Sequence, residues 1–143
     1  LGIGAPALAD DPMELKTSNR EVLGAAEVEA GDFATGIAKL ERALGHANHN
    51  IARSPALVNL CVAHAASGDL EQAAEYCTAA IDTGVDVELA YNNRAVVNYL
   101  RGDIEACRDD LERAAEIRGN NRVVKRNLER VLGKRGAAFA SAD

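Results

Sequence analysis

At 143 residues, 48% of them apolar, the chain has the size of one domain able to bury a core, yet it carries 3 Tyr, 2 Phe and no Trp. The net charge of −6 joins an acidic body, 20 acids against 9 bases over residues 1–117, to a basic end, seven bases against Glu129 over residues 118–135, and the acidic body excludes nucleic acid as the main partner. No stretch approaches the ~20 apolar residues of a membrane span, and the alternating Val/Ile/Thr pattern of strands is missing, which leaves an all-α chain built from Ala, Val and Leu.

Residues 1–9 are apolar and uncharged, and end in Ala7-Leu8-Ala9 ahead of Asp10-Asp11-Pro12. This is the pattern of a signal-peptide tail cleaved after a small-x-small triplet. It predicts a periplasmic or secreted mature protein starting near Asp10; the alternative is a flexible arm on a cytoplasmic protein. Beyond it, seven helices are expected, near 17–30, 32–44, 54–67, 69–83, 87–101, 103–118 and 121–134. Gly31-Asp32, Gly68-Asp69 and Gly102-Asp103 separate the members of three pairs. A glycine there takes the left-handed conformation that ends one helix, and the aspartate caps the next. Gly45, Gly84 and Gly119 are expected to end the second helices, with 45–54 a polar connector.

Gly31 to Gly68 spans 37 residues and Gly68 to Gly102 spans 34. Aligned on these glycines, the units show a common pattern. Seven residues before stand Gly24, Cys61 and Ala95; five after stand Gly36, Ala73 and Cys107; nine after stand Leu40, Cys77 and Leu111; twelve after stand Ala43, Ala80 and Ala114. Small residues let paired helices approach, and larger apolar ones fill the seam. One hairpin cannot bury that surface alone, so neighbours must stack.

The 34-residue period, the small positions and the Gly-Asp turns resemble the tetratricopeptide repeat (TPR) family over about residues 17–135. The family's aromatic four before the glycine is replaced by Glu27, His64 and Asn98, and its closing proline is missing. The resemblance implies a domain over 10–136: three tandem hairpins, 17–50, 54–87 and 88–121, stacked as a right-handed superhelical solenoid. A capping helix at 121–134 follows, with Val124, Leu128, Val131 and Leu132 inward and its bases in water, then a disordered tail at 137–143. It further implies a concave wall, made by the first helix of each unit, that holds a peptide or a partner's helix. By position that wall takes Ser18, Glu21, Ala25 and Val28, then Val58, Asn59, Val62 and Ala65, then Leu89, Asn92, Asn93, Val96 and Tyr99. Asparagine suits a peptide backbone because its amide both donates and accepts. The Lys, Arg and Asn clamp of chaperone-binding members meets Glu21, Ala25, Asn59, Leu89 and Asn93 here. Only Asn59 fits, and a glutamate repels a carboxylate, so capture of a free acidic C-terminus is not expected.

Candidate chemistry is sparse. Cys61, Cys77 and Cys107 lack metal-ligand spacing and read as small core residues, with a Cys61–Cys77 bridge as the alternative. His46 and His49 have no third ligand, His64 reads as a packed core side chain, and Asp109 and Asp110 as local partners of Arg108 and Arg113. No catalytic, metal or cofactor site is expected. The function expected is a non-enzymatic protein–protein interaction scaffold; the alternative is a structural subunit of a larger envelope complex, or self-association through repeat ends. Reversing charge at Asn92 and Asn93 is expected to abolish partner capture with stability nearly unchanged.

Overall fold

The computed structural model describes residues 2–3, 13–18 and 21–140, with 2–3 and 134–140 as backbone only. The chain is all-α: α1 Ala25–Glu29, α2 Phe33–His46, α3 Asn50–Ala66, α4 Leu70–Asp82, α5 Val87–Leu100, α6 Ile104–Ile117 and α7 Arg122–Ala140. Two short strands, β1 Gly2–Ile3 and β2 Met13–Glu14, pair antiparallel with Gly2 opposite Glu14. Each helix packs on the next; α3 also meets α1 and α5, and α5 meets α7, so the odd helices form one layer backed by the even ones. The strand β2 lies against α5 and α7. No described helix is long and apolar enough to cross a membrane.

The Gly-Asp turns follow from their chemistry. Gly31, Gly68 and Gly102 have φ of 84°, 91° and 85°. The next residue's N–H donates at 2.9 Å to the carbonyl of Glu27, His64 or Asn98, closing the helix behind it. The aspartate carboxylate accepts from the N–H of Thr35, Gln72 or Ala106, opening the helix ahead. A Cβ on Gly102 would meet nothing within 4 Å, so backbone strain alone sets the effect of Gly102→Val. We expect a loss of about 1–2 kcal/mol, seen as a lower urea midpoint at unchanged slope; an unchanged midpoint would refute the left-handed turn as the source of strain. Gly45 departs from expectation. It sits inside the last turn of α2, and α3 begins at Asn50, where His49 Nδ1 caps by accepting from the Ala52 N–H at 3.3 Å.

The places seven before and nine after each turn glycine face one another. In the first unit a Cβ on Gly24 would stand 2.9 Å from Leu40 Cγ. In the second, Cys61 and Cys77 occupy these places and form a disulfide, with Cα atoms 5.1 Å apart, which corrects the reading of both as separate core thiols. Ala95 and Leu111, both fully buried, hold the same places in the third. Cys107 is free and buried, and burial, reinforced by Asp110 and Asp103, pushes its thiol up to about 12.

The first helix is shorter than expected: 17–30 shrinks to Ala25–Glu29. Gly24, at φ 99°, breaks the helix upstream, and a side chain there would meet Gly36 O at 2.7 Å. Residues 13–18 are instead held extended by distant side chains. At the other end α7 runs past 134 to Ala140, through part of the stretch expected to be disordered; Ala137, Ala138 and Ala140 are strong helix formers. Residues 141–143, Leu1, and residues 4–12 with the small-x-small triplet and the boundary at Asp10 lie outside the described residues. Asp110 is not a local partner of Arg108 or Arg113. It turns into the α5–α6 seam, where Arg94 Nε and Nη2 donate to it at 2.9 and 2.8 Å and Asn98 at 3.1 Å. Asp109 does pair with Arg108.

Candidate functional site

An isolated extended segment leaves its backbone polar groups without regular partners, and inside a folded chain each needs one. Met13–Ser18 finds them on both edges. Along one edge Gly2–Ile3 pairs with Met13–Glu14. Along the other, asparagine amides stand in for a neighbouring strand. The Glu14 N–H donates to Asn127 Oδ1 at 2.8 Å, and its carbonyl accepts from Asn127 Nδ2 at 2.8 Å and Asn92 Nδ2 at 3.1 Å. The Lys16 N–H donates to Asn93 Oδ1, and its carbonyl accepts from Asn93 Nδ2, both at 2.9 Å. The Ser18 N–H donates to Asn59 Oδ1 at 2.7 Å. Every second residue of the segment, Glu14, Lys16 and Ser18, meets asparagine, and Glu14 meets two; a spacing of two is the period of an extended chain.

The four amides are fully buried and partly wired together. Asn127 Nδ2 donates to Asn92 Oδ1 at 2.8 Å, and Asn92 Nδ2 to Asn93 Oδ1 at 3.2 Å. This network fixes which end of each amide donates. The segment's side chains divide by face. Met13 and Leu15, each 1% exposed, join the buried cluster that includes Val62, Val96, Tyr99, Val124 and Val131. Lys16 is exposed, while the Glu14 carboxylate meets Arg126 Nη2 at 2.6 Å and Arg130 Nη1 at 3.7 Å. Thr17 Oγ1 donates to Glu29 at 2.7 Å.

Of the residues expected on the wall, Asn59, Asn92 and Asn93 meet at the segment's backbone, and Val62, Val96 and Tyr99 share its buried cluster. Val58 and Leu89 belong instead to a smaller cluster with Leu57, Ala80 and Ala90. Glu21 is exposed, in the chain between the segment and α1. Ser18, expected on the wall, is instead part of the extended segment that the asparagines hold. Asn127 was not anticipated, although a signal existed: Asn59, Asn93 and Asn127 are spaced by 34 residues, one period apart. The bases of α7 were expected in water, but Arg126 and Arg130 face Glu14. Because Asn92 and Asn93 are buried and bonded, placing a charged side chain at either must cost stability, contrary to the expectation of a nearly silent change.

A second hollow, open to solvent, lies between α4, α5 and α6, lined by Thr78, Arg94, Asn98, Arg101 and Asp109 among others. Its Arg94 is committed to Asp110, and the hydrogen bonds it donates to that carboxylate hold the guanidinium charged. Among the described residues no three His, Cys, Asp or Glu side chains converge as a metal site. Compared with protein-family models and with curated proteins, the chain matches none.

Proposed function

We propose that this chain is a non-enzymatic protein–protein interaction module of the TPR type. Its odd helices form the concave wall of a superhelical stack, and that groove holds an extended segment of a partner. One observation carries the reading: six hydrogen bonds run between asparagine amides and the backbone of Met13–Ser18. Bonds to backbone recognise extension itself, and amides do not titrate, so the arrangement suits holding rather than chemistry. The curvature has an independent argument. Two residues of extended chain advance about 6.6 Å, while packed helix axes stand about 8–10 Å apart. Asparagines one repeat apart keep step with a strand most easily on the inner side of a curved layer. The Cys61–Cys77 disulfide supports a periplasmic or secreted location, where such bonds persist.

The test uses the full chain with Leu15→Asp to vacate the groove, titrated calorimetrically with the peptide Met-Glu-Leu-Lys-Thr-Ser. Saturable one-to-one binding is expected, and adding Asn93→Leu should abolish it. A folded variant that takes up no peptide would overturn the assignment.

A further inference from the structure

The groove offers more than backbone bonds. It has two apolar seats, filled by Met13 and Leu15, and between them a cationic seat where Arg126 and Arg130 face the Glu14 carboxylate. It also has an unfinished rung. Asn127 and Asn93 each hold both the N–H and the carbonyl of one residue. Asn59 takes only the Ser18 N–H; its Nδ2, in a fully buried side chain, has no partner among the described residues. The resident segment is covalently tied to α1, which begins at Ala25. A separate peptide has no such tie. If it stays extended, its carbonyl at that rung can take the vacant Asn59 donor, a bond the resident segment does not make. Leaving such a donor unpaired in a buried place is costly.

Resting on the interaction function above, we propose that the groove's occupant is an extended segment of a partner protein bearing an apolar–acidic–apolar triplet followed by at least three more extended residues. Met13–Ser18 is the resident stand-in that this segment displaces. The acidic residue gives direction as well as affinity, because the arginines stand at the α7 end of the groove and the open rung lies on α3.

Fluorescence anisotropy on the full-length chain tests this with two probes, Met-Glu-Leu-Lys-Thr-Ser-Ala and the same peptide with Lys in place of Glu. On the chain carrying Leu15→Asp, the acidic probe should bind about tenfold more tightly, the worth of one charge-assisted hydrogen bond. Adding Arg126→Ala and Arg130→Ala should erase that preference. The unaltered chain should bind the acidic probe more weakly than the opened one, because its own segment competes. If both probes bind the opened chain equally, the triplet chemistry is wrong while the groove still binds peptides. If opened and unaltered chains bind alike, the stand-in role is wrong. If neither probe binds, the interaction function falls with it. Should Leu15→Asp lose its helical signal, Glu14→Lys vacates the groove instead, by setting a cation against two arginines.

Discussion

Leu15→Asp should release Met13–Ser18 while leaving helices α2–α7 in place. Leu15 is 1% exposed, and an unpaired carboxylate held there would cost several kcal/mol. The free energy that docks six residues is smaller. Burial of Met13 and Leu15 and the backbone hydrogen bonds favour docking, but ordering each residue costs about 1–2 kcal/mol. The chain therefore gives up the contact rather than bury the charge. Lys16 provides the readout. Its side chain is exposed, but both of its backbone groups are bonded to Asn93, a geometry that keeps the adjacent peptide bond from entering a protease. Trypsin cleavage after Lys16 should accelerate about tenfold for each 1.4 kcal/mol of docking lost, with the far-ultraviolet helical signal retained. Unchanged cleavage at Lys16 would mean that Leu15 is not what anchors the segment.

Reduction of Cys61–Cys77 should lower stability by about 3 kcal/mol, the chain-entropy value for a closed loop of about 15 residues; the cysteines are 16 apart. Thiol labelling checks the premise. In the native chain no cysteine should react, because two are bonded and Cys107 is buried with its thiol pushed up to about 12. Only the thiolate is the nucleophile, so neutral and mildly alkaline buffers leave Cys107 protonated. Denaturation without reductant should expose one thiol, and denaturation with reductant three. Three labels without reductant would disprove the bond. Reduction should weaken the middle hairpin without removing any of the asparagines that grip Met13–Ser18.

The local grammar of this chain was readable from its sequence. Each Gly-Asp pair acts within a few residues, so the turns at Gly31, Gly68 and Gly102 and the caps on α2, α4 and α6 could be placed by inspection. Asn59 and Asn93 could also be placed, because a repeat puts equivalent residues on equivalent faces. Met13–Ser18 could not. Its backbone partners are 41, 77 and 113 residues away, and nothing in Met-Glu-Leu-Lys-Thr-Ser resists a helix. Tertiary hydrogen bonds override that local permissiveness. Asn127 lies between these cases: it stands one repeat beyond Asn93, but on a helix whose one-sided apolar stripe marks a cap rather than a further unit. The Cys61–Cys77 bond was open to the same method, since the facing of their two places appears in Gly24 and Leu40 only once both helices are laid side by side.

The three solutions to that one facing contact also set how the molecule breathes. In the middle unit the contact is covalent and cannot part while the disulfide stands. In the first it is Leu40 against Gly24, at the edge of a five-residue helix. Neighbour-only packing lets one end of such an array open while the rest stays shut. The soft end is also the end of the layer to which the chain runs after Ser18, the opposite end from Glu14 on α7. In the proposed function, Met13–Ser18 would then be exchanged for a partner segment at the cost of fraying α1, with α3–α6 folded throughout, so the weakest unit would set the rate of exchange and the strongest the persistence of the layer.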